Sequence, residues 1–540
     1  MSFGNDASVK TLILYEGDPI PKDSTSKVII RLTNEECRLF ATLRCAVVSL
    51  EKGEIPSFDA TNVELRIAGG WVRDKLLNLS TSDVDIVTDS ISGVEFASVL
   101  QSYLKLNHPD EVHKVGVIAA NPNQSKHLET ATMVVMGFEC DFCNLRSNEV
   151  YSEDSRIPQT QIGTPLEDAQ RRDFCLNALF FNLKTNLIED WTGRGLSDLL
   201  DQRILVTPLD PFTTFLDDPL RVLRAVRFAT RFDFELDKEL REASKSEIIH
   251  QALIVKVSRE RVGKELEGML SGEAARPFHA LALIDELNLS DCVFYLPCDL
   301  RIEGNFLGKL YSGTVKYDWI VSTSNLEKAM KVEGIHFPDR RAISVMDDRL
   351  FVLASYLLPF RDVYYVDKKA KKIPVIDYLM RESIKFKNKD VAGMVNMMEN
   401  ADSFVAILQN PTPTRLELGL LIGATKDLWV TCLFLVAVLI DECDKAQILY
   451  KRIIDLELDG CWKTRPILNG REVTEILSLS KGPDIGIYIE EQKRWMLCNP
   501  LGTRDDCVSH LLIYKRNRDT KRHLGVEELE ESKKTFLGNA

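Results

Sequence analysis

Two aspartates separated by one residue follow a glycine pair in the first fifth of the chain. Residues 66–89 read RIAGGWVRDKLLNLSTSDVDIVTD, with Gly69 and Gly70 after an apolar run and Asp83 and Asp85 in DVDIV. Side chains alternate faces along a strand, so aspartates two residues apart point to the same side. Two carboxylates on one face repel each other, and a hard cation such as magnesium removes that repulsion. The pair predicts a metal site, although an isolated D-x-D is more often a tight turn followed by a solvated strand edge.

The glycine pair lies between a predicted strand, residues 63–68, and a predicted helix, residues 71–79. Glycines at such a turn let phosphate oxygens approach the backbone, and the first amides of a helix attract negative charge. Arg73 lies in the first turn of this helix, where a cation opposes the helix dipole unless it binds something else. The turn at Gly69 and Gly70 therefore predicts phosphate binding.

A two-metal site needs a further acid from a neighbouring strand. Strands are predicted at 127–136 and 138–145, and the second contains Asp141. Glu139 shares the face of Asp141 by alternation, and Glu129 lies on the preceding strand. We favour Asp141 as the third carboxylate, with Glu129 and Glu139 as the alternatives.

A second charged stretch, EDAQRRDFCLNALFFNL, begins at Glu167. The sequence predicts a helix here, with Asp173 and Asn177 four residues apart on one face, where they could bind sugar hydroxyls. Arg172 beside them suits a triphosphate, because guanidinium matches phosphate geometry. The alternative is an ordinary helix with internal salt bridges.

A third stretch, FLDDPLRVLRAVRFATRF at residues 215–232, predicts a helix that starts near Pro219. Four arginines recur along one face of this helix: Arg221, Arg224, Arg227 and Arg231. A solvated surface usually mixes lysine with glutamate. A stripe of arginines alone repels itself unless anions lie along it, so the helix predicts anionic groups beside it.

Length, net charge and cysteine spacing limit the class of protein to which these motifs belong. At 540 residues the chain is too long for one core, and we expect three or four units. The net charge of -13 argues against a generally basic nucleic-acid coat and leaves room for a local basic groove. The twelve cysteines show no paired zinc spacing, and Cys140 and Cys143 lie in a strand-like run, which favours reduced intracellular thiols.

The longest apolar run, residues 428–440, is shorter than the roughly 20 residues of a membrane span. It predicts a buried helix, and no membrane partner is expected. The first ten residues resemble neither a secretory signal nor a transit peptide, so we expect a cytoplasmic and nuclear protein. Mitochondrial import is expected only for a longer isoform.

Four motifs, taken together and in order, resemble the series found in class II tRNA nucleotidyltransferases, the C-C-A-adding enzymes: GGWVRD with DVD, DAQRRDFCLN, DDPLRVLRAVRF and SRERVGKELE. The resemblance covers residues 62–272, and KGPDIG resembles the C-terminal end of eukaryotic, fungal-like members. It implies an α+β fold, in which a mixed β-sheet head of the nucleotidyltransferase superfamily precedes an all-helical neck, body and tail.

The resemblance and the helical pattern together divide the chain into six predicted segments. These are an N-terminal helical lead-in at 1–61, a catalytic head at 62–206, a nucleotide-selecting neck at 207–272, a body at 273–400, a tail at 401–512 and a charged extension at 513–540.

The function implied by the resemblance is template-independent addition of C-C-A to the 3′ end of tRNA from CTP and ATP, with two Mg²⁺ ions and release of pyrophosphate. By resemblance the catalytic and metal-binding residues are Asp83, Asp85 and Asp141. The implied nucleotide-binding residues are Gly69, Gly70, Arg73, Arg172, Asp173, Asn177, Asp218, Arg221, Arg224 and Arg227. Asp141 is a departure, because the family often has the longer glutamate there. A monomer or weak dimer is expected.

Asp218 and Arg221 match the family's base-reading pair. Cytosine and adenine both present a ring-nitrogen acceptor beside an amine, which arginine and aspartate complement. Guanine and uracil present an N–H where an acceptor is needed, and such a mismatch leaves buried groups unpaired. Two other functions stay open on sequence grounds: a class II poly(A) polymerase and a catalytically inactive RNA-binding module.

Overall fold

The computed structural model describes the chain outside residues 1–6, 19–27, 56–57, 59–61, 119–128, 147–161, 273, 304–308, 312–313, 318, 334–346, 480–481, 483 and 524–540. The chain divides into two compact units, Met1–Cys292 and Val293–Ala540. The loop predicted at 147–166 lies mostly outside the described residues.

The first unit is built on a mixed β-sheet of eight strands. Its strands and those of two smaller sheets are, in chain order, Ser8–Val9 (β1), Thr11–Tyr15 (β2), Val28–Leu32 (β3), Leu65–Ala68 (β4), Asp83–Thr88 (β5), Gly116–Ile118 (β6), Thr130–Val135 (β7), Phe138–Asn144 (β8), Leu179–Asn182 (β9), Leu187–Asp190 (β10), Ile204–Leu205 (β11) and Glu235–Leu236 (β12). The large sheet has the order β1-β10-β9-β4-β5-β8-β7-β6. The predicted mixed-sheet head is confirmed.

Strands β5 and β8 form the parallel pair of this sheet, and all its other neighbours are antiparallel. A parallel pair needs a crossover connection, and the helix Gly93–Asn107 lies in the connection here. The helix starts so close to β8 that a Cβ at Gly93 would lie 2.5 Å from the Phe142 carbonyl. Only glycine fits this crossing, and Phe96 packs one turn later against Phe142.

The α-helices of the first unit are Asn34–Glu51, Gly70–Leu76, Gly93–Asn107, Pro165–Gln170, Gly195–Ser197, Pro211–Asp217, Leu220–Phe232, Lys238–Ser244, Glu247–Lys256, Arg259–Leu270, Pro277–Glu286 and, at the boundary with the second unit, Ser290–Val293. Several begin with side chains that satisfy the first free amides. Thr33 with Glu36 and Ser92 with Glu95 each form a capping box. We call Leu220–Phe232 the arginine helix; Pro219 caps its start, as predicted.

Two local predictions for this unit need correction. The lead-in contains the predicted helix, Asn34–Glu51, but also β1 to β3, and β1 joins the large sheet beside β10. Residues 167–183 do not form one helix. Pro165–Gln170 ends before Asp173, a 3-10 turn covers Cys175–Asn177, and β9 follows. All four residues of β9 are buried in the middle of the sheet, so sheet pairing outweighs the local helical pattern.

The second unit is mainly helical, as predicted. Its α-helices are Ile320–Glu333, Asp348–Leu357, Val375–Tyr378, Asn388–Gln409, Arg415–Thr425, Trp429–Ile440, Cys443–Asp455, Gly470–Ile476, Asp484–Cys498 and Arg504–His523. Short strands that the sequence did not predict also occur: Ile302–Glu303 (β13), Lys309–Tyr311 (β14), Thr314–Lys316 (β15), Tyr364–Val366 (β16) and Lys372–Pro374 (β17). Strands of two or three residues are too short to show a period.

The apolar run near residue 430 forms the helix Trp429–Ile440, in which every residue from Trp429 to Val438 is buried. Together with the preceding helix, the segment Arg415–Ile440 is long and apolar enough to cross a membrane, as the core helices of soluble proteins also are. Its most apolar window is 72% buried within the structure, in agreement with the predicted core helix.

Candidate active site

Four carboxylates lie on one face of the sheet where β5 and β8 pair. Asp83 and Asp85 are exposed and alternate with the buried Val84 and Ile86 of β5. In the parallel register Asp85 pairs with Asp141, and Asp83 pairs with Glu139. The predicted alternation is present, and it brings the two aspartates next to both acids of β8. Glu129 precedes the first residue of β7.

The pKa shifts of these carboxyl groups indicate that a cation beside them would be favourable. The residue Asp85 is exposed as a whole, but protein atoms around its carboxyl group desolvate it, and this raises its pKa above the usual range. The nearby charges of Asp141 and Asp83 raise the pKa further, against Arg172 and Arg146. Burial also raises the pKa of Asp141, with Asp83 and Glu139 adding to the effect. Neighbouring carboxylates that repel one another suit a hard divalent cation, which offsets their negative charges.

These carboxylates fit a magnesium site that the protein does not fully enclose. Within the described part of the chain, no three acidic, histidine or cysteine side chains converge into a preformed metal cage. Magnesium is commonly held by one or two carboxylates, with waters and substrate phosphates completing its ligands. The paired aspartates on an exposed strand face match that mode of binding.

The glycine turn is crossed by a guanidinium group. Gly69 has φ 61°, and a Cβ built on it would lie 2.7 Å from Nη1 of Arg172 and 3.3 Å from the Asn177 carbonyl. Arg172 donates to that carbonyl over 3.3 Å and to Oδ2 of Asp168 over 2.8 Å. Glycine is favoured at position 69 because φ is positive there, and a Cβ would also require the Arg172 guanidinium to move.

Arg73 lies beneath this turn. It is only 6% exposed, and its guanidinium donates to Asp74 and to Oδ1 of Asn177, each over 2.7 Å. It also lies over the rings of Phe228 and Phe232, at 5.0 and 4.9 Å from their centroids. Burial lowers the pKa of Arg73 despite the nearby Asp74. These contacts connect the glycine turn to the arginine helix.

Asp173 and Asn177 meet although they do not share a helix. Asn177 donates its amide to Oδ1 of Asp173 over 2.9 Å, and Arg224 donates to Oδ2 over 2.7 Å. Burial alone would raise the pKa of Asp173. The charge of Arg224 and the hydrogen bonds outweigh burial, so the pKa is lowered and the group is ionised at neutral pH.

The predicted anions along the arginine helix are in part the protein's own. Asp173 pairs with Arg224, and Glu265 pairs with Arg227 over 2.6 Å and approaches Arg224 at 3.8 Å. Arg221 donates to two backbone carbonyls, those of Arg171 at 2.7 Å and Thr214 at 3.3 Å.

A cavity of about 340 Å³ connects the end of β5 with the start of the arginine helix. Its lining residues are Asp85, Val87, Cys143, Arg146, Asp168, Arg171, Arg172, Asp173, Asp218, Arg221 and Arg224. Six predicted site residues meet here: Asp85, Arg172, Asp173, Asp218, Arg221 and Arg224. The predicted site residues outside this lining are Gly69, Gly70, Arg73, Asp83, Asp141, Asn177 and Arg227.

Some lining residues were not assigned a role from the sequence. Asp168 is four residues from Arg172, a spacing that signals an ion pair, and the pair is present at 2.8 Å. Arg146 follows the end of β8, just beyond Asp141, and its position after a strand that carries an acid was an available signal.

Comparison with known proteins places this geometry in a family. Residues 65–205 match the model of the poly A polymerase head domain. A tRNA nucleotidyltransferase of Schizosaccharomyces pombe is 35% identical over 483 residues, which are 85% of this chain and 93% of the relative. The mitochondrial CCA tRNA nucleotidyltransferase of Saccharomyces cerevisiae is also 35% identical, over 83% of this chain and 87% of its own. The chain belongs to the CCA tRNA nucleotidyltransferases.

Solved structures share the fold of this enzyme. A CCA-adding enzyme in complex with CTP has a TM-score of 0.59 at 19% identity, over 88% of this chain and 98% of its own. The Thermotoga maritima CCA-adding enzyme in complex with tRNA has a TM-score of 0.56 at 18% identity, over 88% and 98% of the two chains. The family resemblance and the fold predicted from the sequence are both confirmed.

Proposed function

We propose that this enzyme adds C, C and A in turn, without a nucleic-acid template, to the 3′ end of tRNA. CTP and ATP are the substrates, and pyrophosphate is released at each step. One observation carries the proposal: the cavity joins a catalytic carboxylate, Asp85, to the base-reading pair Asp218 and Arg221. The names of the fungal relatives supply the tRNA substrate.

Nucleotide choice is assigned to Asp218 and Arg221. The guanidinium of Arg221 is oriented by two carbonyls, which leaves the rest of its N–H donors for a ring nitrogen. The carboxylate of Asp218 accepts from an exocyclic amine. Cytosine and adenine satisfy both groups, whereas uracil and guanine oppose a carbonyl to the carboxylate and an N–H to the guanidinium.

The chemical step is assigned to Asp83, Asp85 and Asp141, which would hold two Mg²⁺ ions. Bound magnesium would lower the pKa of the tRNA 3′-hydroxyl and neutralise the triphosphate. The register that pairs Asp85 with Asp141 supports this assignment, and Asp85 lines the cavity. Glu139, opposite Asp83, is the alternative to Asp141 that the register favours over Glu129.

The triphosphate is assigned to the cationic part of the cavity. Arg172, from which Asp168 accepts, extends over the Gly69 turn, and Arg146 lies near enough to Asp85 to affect its pKa. Guanidinium groups in a partly enclosed cavity bind phosphate oxygens strongly. Asp173, itself held by Arg224, is assigned to the ribose together with Asn177.

The test is incubation of the full-length protein with tRNA that lacks its 3′ C-C-A, one labelled nucleotide at a time and then together. Two cytidines followed by one adenosine and a stop are expected. Long adenosine tails would instead indicate a class II poly(A) polymerase. Binding of tRNA without any incorporation, with magnesium present, would indicate an inactive RNA-binding module.

The segments follow the same proposal. We assign the catalytic head to residues 62–206 and nucleotide selection to the neck at 207–272, both within the unit Met1–Cys292. The proposed partners are the acceptor end of tRNA, CTP and ATP, and no membrane is involved. The enzyme is proposed to act as a monomer or weak dimer. Two fungal relatives are named as mitochondrial, and we propose a mitochondrial pool beside the cytoplasmic and nuclear ones. Cell fractionation with antibody detection tests this distribution.

A further inference from the structure

The carboxylate of Asp218 is held by the protein at both of its oxygens. Oδ1 accepts from the backbone N–H of Leu220 over 3.2 Å, in the first turn of the arginine helix. Oδ2 accepts from Nη2 of Arg261 over 2.9 Å. Two donors on different elements determine both the rotamer of this side chain and the plane of its carboxylate.

Arg261 reaches Asp218 from outside the cavity. It lies in the first turn of the helix Arg259–Leu270, its side chain is 47% exposed, and it is not part of the cavity lining. The same helix carries Glu265, which holds Arg224 and Arg227 one turn further along. The helix Arg259–Leu270 therefore contacts Asp218 just before the arginine helix and two arginines in the middle of it.

We infer that Arg261 is a positioning residue that sets nucleotide selectivity through Asp218. The inference rests on the proposed function, in which Asp218 reads the base. Arg261 holds Oδ2 in place, and the lone pairs that remain on the carboxylate point to a defined position in the cavity. An exocyclic amine can occupy that position, and a carbonyl oxygen is repelled from it.

The physical reason is that discrimination by hydrogen bonding requires rigid partners. A mismatched base is rejected because it leaves buried groups unpaired, and this penalty disappears if the carboxylate can turn away. Without Arg261, Oδ1 of Asp218 keeps its hydrogen bond from the Leu220 amide but Oδ2 loses its donor, so the carboxylate rotates about Cβ–Cγ more readily. UTP and GTP are then rejected less strongly, and CTP and ATP are aligned less well. Selectivity therefore falls more than overall activity does.

The test compares Arg261→Gln and Arg261→Lys in the full-length enzyme. Glutamine removes the charge and keeps much of the length, and lysine restores one cationic donor. The control is Arg276→Gln, which breaks the surface ion pair of Arg276 with Asp233 at a similar exposure of 43%. The measurement is kcat/KM for CTP, ATP, UTP and GTP with tRNA acceptors that end before the first C or before the A.

Arg261→Gln is expected to lower the preference for CTP over UTP, and for ATP over GTP, by about 10- to 100-fold. Arg261→Lys should recover much of this preference, and Arg276→Gln should keep it within about twofold of the unaltered enzyme. A preference unchanged in Arg261→Gln, while the unaltered enzyme completes C-C-A, would overturn the positioning role alone. Failure of the unaltered enzyme to add C-C-A would overturn the proposed function itself.

Discussion

At Asp85, opposing electrostatic effects meet on one carboxyl group. Burial, Asp141 and Asp83 raise its pKa, and Arg172 and Arg146 lower it, with a net increase. A carboxyl whose pKa is higher in the folded state than in the unfolded chain destabilises the fold while it is ionised. This cost is present at neutral pH and disappears as the pH falls through the raised pKa. Bound magnesium would remove it at neutral pH.

Asp85→Asn is therefore expected to abolish nucleotide transfer without destabilising the protein. Activity should fall by about 1000-fold or more, because a neutral amide cannot offset the positive charge of the metal. The Tm without magnesium should stay level or rise. Differential scanning fluorimetry with and without Mg²⁺ checks this: magnesium should raise the Tm of the unaltered protein and have little effect on the variant. Asp110→Asn, an exposed acid outside the cavity lining, serves as the control.

Asp218→Ala tests substrate choice separately from chemistry. Removal of the acceptor should lower the preference for CTP and ATP over UTP and GTP by about 100-fold or more. The neighbouring Asp217 is exposed and is not part of the cavity lining, so Asp217→Ala is the matched control. Steady-state kinetics with all four nucleotides measure the effect. Full selectivity in Asp218→Ala would contradict the base-reading assignment.

At the scale of elements, the turn from β4 into the helix Gly70–Leu76 brings the sheet and the arginine helix together. Gly69 is the tight point of that turn, with a guanidinium where a side chain would lie. Arg73, from the helix that follows, packs on Phe228 and Phe232 of the arginine helix. The turn thus brings Arg172 and the arginine helix into contact with the residues that follow β4.

Gly69→Ala should reduce both stability and nucleotide binding. A positive φ costs a non-glycine residue about 1–3 kcal/mol, and the methyl group must also displace Arg172 from its contacts with Asp168 and Asn177. Gly53→Ala is the control, because φ is 70° there and nothing lies within 4 Å. Both variants should lose stability in urea unfolding, and only Gly69→Ala should raise KM for CTP and ATP. A KM that is unchanged in Gly69→Ala would contradict the role of the turn.

At the scale of the whole molecule, the thiols show how much of the chain is closed to solvent. All twelve cysteines are thiols that form no disulfide. Burial raises the pKa of Cys140 to about 12. Burial, together with smaller effects of nearby charges, raises the pKa of Cys143 to about 11. Both cysteines of the C-x-x-C pair lie within β8, and their raised pKa values keep them as protonated thiols at neutral pH.

Native labelling with iodoacetamide, followed by peptide mass spectrometry, should modify the exposed thiols first: Cys45, Cys298 and Cys498. Cys140, which is 1% exposed, should react only after unfolding in guanidinium, because a buried thiol with a strongly raised pKa carries almost no thiolate at neutral pH. Labelling of the unfolded protein is the control for peptide recovery. Rapid native labelling of Cys140 would contradict the buried placement of its side chain.

Residue types and short spacings were enough to predict a large part of this molecule. The D-x-D alternation, the glycine turn and the helix after Pro219 depend on contacts within a few residues, which local patterns record, and the mixed-sheet head followed from the family resemblance. The prediction of one helix through Asp173 and Asn177 was wrong, because β9 pairs with β4 and β10, and those partners are distant in sequence. The strands β1 to β3 were missed for the same reason.

The sequence by itself determined which chemical groups the enzyme carries: paired acids, a glycine turn, and the aspartate and arginine that we propose read the base. Only the tertiary structure decided how those groups are held. Arg73 meets Asn177 across 104 positions, Arg224 meets Asp173 across 51, and Arg261 meets Asp218 across 43. Local periodicity contains no record of such pairs. They form because buried and partly buried charges require partners, and the fold determines which partner is within reach.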